Sequence, residues 1–165
     1  MSIANLTTYL NDHLAASVGA LDMIASAMAR SEGTPLGSFL TQLHAEIEEE
    51  QTVLRNLLKR LDASENPVKK AAAWVAEKVS RVKMDASDTS DPLARLQALE
   101  ALQVGIMGKR ALWVALQEVV GDIDAVSGLD FASLKQRAQD QHDRVEDWRL
   151  KATREAFATS ARTRP

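Results

Sequence analysis

FLTQLHAEIEEEQTVLRNLLKRL, residues 39–61, is the stretch whose reading decides the fold. Leu40, Leu43, Ile47, Leu54, Leu58 and Leu61 recur at helical spacing and form one apolar stripe. Gln51 falls inside that stripe, and His44 and Glu50 lie at its edges. A long helix with polar groups turned inward at mid-length is how helical bundles build sites.

Working outward, the flanking punctuation predicts more long helices. Upstream, residues 3–30 carry Ile3, Leu6, Leu10, Leu14, Leu21, Ile24 and Met28 on one face, with Ser17 inside it and His13 on its edge. Gly33 supplies a left-handed cap, and Thr34-Pro35 restarts a helix as N-cap and first residue. So short a connection makes the first two helices antiparallel neighbours. Downstream, Asn66-Pro67 opens a short third helix over 67–83, with Val68, Ala71, Ala72, Val75, Val79 and Val82 on one face. A turn-rich loop over 85–91 follows, and Asp91-Pro92 repeats the cap-plus-proline start for a helix over 92–120.

That fourth helix is apolar almost all the way round, which predicts cover on every side. Gly105 and Gly108 inside it cost about 1 kcal/mol each against Ala, and are read as places where a neighbouring backbone comes close. The fifth helix, over 131–159, returns to a single stripe of Leu134, Ala138, Val145, Trp148, Ala152 and Ala156.

Composition bounds the rest. The 165 residues suit one domain, residues 1–165, with a proper core. Abundant Ala and Leu with few aromatic residues favour helix-on-helix packing, an all-α class. The absence of cysteine excludes disulfides, thiolate metal sites and Cys nucleophiles, and fits a cytoplasmic location. A net charge of −3 offers no lure to nucleic acid. No basic, apolar leader opens the chain, and no uncharged apolar run reaches the ~20 residues of a membrane span, so no signal peptide and no membrane insertion are expected. Phosphate loops, nucleophile elbows and zinc motifs are missing from the sequence. Leu36, Leu150, Phe157 and the fourth helix supply apolar surface for a homodimer.

Two long helices, a segment with a short helix, then two long helices is an order that permits a lengthwise crossover. In that order, and in the His-Ala-Glu-Ile-Glu-Glu-Glu-Gln stretch of residues 44–51, the chain resembles the ferritin-like superfamily and, within it, the YciF-type bacterial stress proteins. The resemblance implies a ferritin-like four-helix bundle with an extra short helix in the crossover between the second and fourth helices. It also implies a stress-related role, and a dinuclear centre in which Glu residues and Glu-x-x-His pairs hold iron or manganese.

Placed on those positions, this chain has Glu48 to Gln51 on the second helix, with an amide where the imidazole belongs. Ser17 stands at the Glu position of the first helix, Glu100 or Gln103 on the fourth, and Gln139 with His142 on the fifth. The inward groups are Ser17, Gln51, Gln141 and Glu100, which read as a largely uncharged hydrogen-bonded layer. Lys109, Arg110 and Arg55 are candidate partners for Glu100. The expectation is a degenerate metal site with no cofactor, in a protein of non-catalytic binding or assembly. The alternative is a dinuclear or mononuclear iron or manganese oxidase or ferroxidase whose ligands are Glu48, Glu50, Glu100, His44 and His142. A third reading is a lipid or small-ligand carrier with a cavity between its helices.

Overall fold

A computed structural model of the chain describes residues 2–62 and 91–158. The short helix expected over 67–83 lies outside the described residues. Four long α-helices carry the described chain: α1 (Ile3–Arg30), α2 (Pro35–Arg60), α3 (Pro92–Glu118) and α4 (Phe131–Phe157), with a 3-10 turn at Asp124–Val126. Each start is capped by the side chain the sequence puts there. Ser2 accepts from the Asn5 N–H, Thr34 from Gly37, Asp91 from Leu93 and Asp130 from Ser133, at 3.2, 3.1, 2.9 and 2.9 Å. Proline occupies the first turn of α2 and of α3, where its missing donor costs nothing. Gly33 makes the α1–α2 turn at φ +73°, and a Cβ on Gly37 would collide with the Ser31 carbonyl that this turn brings over it.

The helix directions follow from what meets at each end. Arg30, Pro35, Asp91 and Glu155 surround one cavity, so α1 and α4 finish where α2 and α3 begin. At the other end Leu10, Leu58, Ile123 and Phe131 share one cluster, and Arg60 donates to the Ala125 carbonyl at 3.3 Å. Helices α2 and α3 therefore run parallel, and the described residues Asp62 and Asp91 lie at opposite ends of the bundle. At ~1.5 Å per residue the 26 to 28 residues of each helix make rods of about 40 Å. The closest packing is within the pairs α1–α2 and α3–α4.

The apolar interior comes in two parts. One gathers Ile24, Leu40, Leu43, Leu99 and Val145; the other gathers Leu10, Leu57, Leu112, Trp113 and Phe131. Each fully buried large side chain stabilises by roughly 1.5–3 kcal/mol, an upper figure because denatured chains are already partly collapsed. Between the two parts, every helix places a polar residue at its inward register: Ser17, Glu50 with Gln51, Lys109 and Gln141.

Helix α3 departs from the sequence expectation. It is not covered on every side: Leu93, Val104, Met107 and Val114 are exposed, Val104 by 64%. Among the described residues, nothing lies within 4 Å of a Cβ built on Gly105 or Gly108. A helix apolar all round has here kept one face free.

Candidate functional site

The site is the polar layer across mid-bundle, and it is assembled by heptad arithmetic. On α2 the inward positions run Leu43, Ile47, Glu50, Leu54, Leu57; on α3 they run Leu102, Ile106, Lys109, Leu112, Leu116. On α4 Gln141 stands between Ala138 and Val145. Each polar residue thus takes a register that its neighbours fill with apolar side chains.

Glu50 is 2% exposed, which is tolerable for a carboxylate only if it is paired. Its partner is the Lys109 ammonium, which donates both to Glu50 Oε2 and to the Gln141 side-chain carbonyl. Gln141, wholly buried, turns its amide N–H groups to Glu46 at 3.1 Å and to Glu50 at 3.4 Å. Arg144 donates to Glu46 from two nitrogens, one at 3.1 Å, and Arg137 donates to Glu49 at 2.6 Å with its Nε 3.6 Å from Glu50. Three carboxylates face three cations, so the network is formally neutral. Toward α1 the layer continues without charge: Gln51 donates to Ser17 Oγ at 2.9 Å, and Ser17 donates to the Leu14 carbonyl at 2.7 Å.

The titration of these groups follows their surroundings. Burial pushes the Lys109 ammonium below its ordinary value, against the opposing pull of Glu50. Burial raises the Glu46 carboxyl, but hydrogen bonds from Arg144 and Gln141 and the charges of Arg144 and Arg137 outweigh it, leaving it below the usual range. Burial also lowers His13, at the edge of the layer. A narrow groove of about 70 Å³ between α1 and α3 reaches Lys109 and Gln51 past Ala16, Ala20 and Gly105. In its wall Trp113 keeps an indole N–H with no hydrogen-bond partner among the described residues.

The residues read from the sequence as ligands do not gather around this layer. Glu50 is in it. Glu48 is on the outside of α2, its side chain 58% exposed, 3.4 Å from His44. Glu100, expected inward, has its side chain 52% exposed and lies 3.6 Å from Arg149, because Leu96, Leu99 and Leu102 take the inward registers of α3. Lys109, read as a possible partner of Glu100, belongs to Glu50 instead. His142 sits at the α3–α4 surface, 3.1 Å from Asp143 and beside Gln103, which donates to Glu146 at 2.6 Å. Among the described residues, no three His, Asp or Glu side chains form a group able to hold a metal ion. Gln51 and Gln141 are buried and Ser17 is half-buried.

The layer is also not uncharged. Sequence reasoning assigned Lys109 to Glu100 and did not single out Arg137 or Arg144. The signal for Lys109 was its place between Ile106 and Leu112, obscured because α3 looks apolar on all faces. No helix of the described residues is long and apolar enough to cross a membrane. Compared with known proteins, the chain matches no family model, no curated protein and no solved structure.

Proposed function

We propose that this chain is a ferritin-like bundle in which a fixed internal cation, Lys109, stands in the layer that metal-binding relatives give to a dinuclear centre, and that it acts by binding or assembly and not by oxidation chemistry. The direction of the helices supports the first part: α1 and α2 as one hairpin, α3 and α4 as another, joined by a segment that links opposite ends of the bundle. The single observation that carries the second part is the Lys109 ammonium bound by Glu50 and Gln141. An ammonium supplies the positive charge that a buried carboxylate requires, and it does so from the chain itself.

The donor set fits a pair of divalent ions poorly. One buried carboxylate already saturated by lysine, two amides and a hydroxyl lack the bridging carboxylates and imidazoles that iron or manganese take. A stress-linked role belongs to the same proposal and rests on the resemblance. Assembly as a homodimer would use the free face of α3, where Val104, Met107, Ala111 and Val114 follow one another at heptad spacing.

Metal analysis of protein purified with iron or manganese present tests the reading. The expected result is no stoichiometric metal and an unfolding midpoint that neither metal moves. A bound ion that disappears in Glu50→Gln would replace this reading with the catalytic one. For assembly, light scattering should give a dimer that Val104→Glu returns to monomer; a monomeric wild type removes that part.

A further inference from the structure

The two apolar parts of the interior end differently. Beyond the one that holds Leu40 and Leu99 lies a cavity of about 330 Å³, at the end where α2 and α3 begin. Its inner wall is Met23, Leu40, Leu99 and Leu102, and its width comes from Ala98 on α3 and Ala152 on α4, where larger side chains would close it. Interiors are normally packed to crystal density, and an apolar space of this size leaves its lining without contacts. The volume is in the range of ligand pockets, and it accommodates about eleven groups at ~30 Å³ each.

The mouth is polar and unequal in charge. Arg30, Arg95 and Lys151 stand there with Asp91 and Glu155. Both acids are engaged. Asp91 accepts from the Leu93 N–H as the cap of α3, and Glu155 is 2.6 Å from Arg95. Lys151 lies over the Trp148 ring, 4.1 Å from its centroid, and neither it nor Arg30 has an ion-pair partner among the described residues. Three cations against two carboxylates therefore leave the mouth with a net positive charge among the described residues, beside an apolar hollow.

We propose that this cavity binds an amphipathic monoanion, a medium-length hydrocarbon chain ending in a carboxylate, with the chain against Met23, Leu40, Leu99 and Leu102 and the carboxylate between Arg30 and Lys151. The hydrocarbon chain leaves water for a hollow backed by buried apolar side chains, and the carboxylate offsets the net positive charge of the mouth. The proposal is independent of whether the mid-bundle layer binds metal.

Titration calorimetry of the full chain with octanoate, octanol and octylammonium tests it. Octanoate should bind saturably, one per chain, with a dissociation constant of ~1 mM or tighter. Octanol and octylammonium should bind at least tenfold more weakly. The paired reversal Arg30→Glu with Lys151→Glu should weaken octanoate at least tenfold. Ala98→Leu, which fills the hollow, should abolish it; circular dichroism confirms that each variant is folded. Absence of saturable octanoate binding overturns the proposal. So does octanoate binding that both charge reversals leave unchanged, or octylammonium binding as well as octanoate.

Discussion

The halves of the bundle on either side of Glu50 and Lys109 are built from the same four helices and filled in opposite ways. One half is plugged. Trp113 is wholly buried there beside Phe131, and the turn after α3 lays Ile123 and Val126 across the end. The other half has Ala138 and Ala152 among its core residues and Ala98 and Ala152 on the wall of its cavity. Its aromatic residues Phe39 and Trp148, only partly buried, stack on each other 5.9 Å apart against that core. The difference teaches where stability and where binding reside in this fold. Aromatic volume closes one end, and alanine keeps the other open beneath a basic rim. The layer between them contributes little net stability of its own, since a buried ion pair barely repays its desolvation, but it penalises any register that separates its partners.

The largest effects should come from removing the plug or one side of the layer. Trp113→Ala and Lys109→Ala are each expected to lower the unfolding free energy by about 3–5 kcal/mol, the first through a cavity, the second by stranding the Glu50 charge. Urea unfolding checks both. A loss under about 1 kcal/mol at Trp113 would erase the contrast between the halves. Next in size, and opposite in sign, Ala98→Leu should raise stability by about 0.5–2 kcal/mol, because the hollow half has room for the added carbons. A comparable destabilisation there would mean that the two halves are equally full.

The smallest effect concerns the outer rim of α4. Hydrogen bonds from Arg149 and then Gln103 pull the Glu146 carboxyl from 4.5 to about 2. A carboxyl with a depressed folded value adds stability above its unfolded value and loses it as pH falls through the folded one. Wild type should therefore weaken between pH 4.5 and about 2 slightly more than Glu146→Gln does. The difference should stay within ~1 kcal/mol, because the pair is still reached and screened by solvent. Chemical unfolding at pH 6 and pH 3 measures it.

The helices were legible because their ends are written in short-range chemistry. Thr34-Pro35 and Asp91-Pro92 cap and start α2 and α3 where expected, and Gly33 turns the chain at positive φ. Gln51 and Gln141 were legible as inward groups because each interrupts a clear leucine or alanine stripe. What stayed hidden depends on pairing across helices. Lys109 and Glu50 are 59 positions apart, and nothing in either segment names the other. Glu100 was placed inward and is outward because the apolar residues of α3 offer two stripes, and only contact with α4 and α1 selects between them. Gly105 and Gly108 were taken for close approach, and among the described residues no neighbouring backbone comes within 4 Å of a Cβ built on either.

The central claim is that Glu50 and Lys109 hold the middle of this bundle as a charge pair. A double-mutant cycle with Glu50→Gln and Lys109→Met, followed by urea unfolding, tests it most directly. The account predicts a coupling energy above ~2 kcal/mol, with the double variant more stable than the Lys109→Met single. A coupling below ~0.5 kcal/mol would show that the two charges do not depend on each other, and the claim would fall.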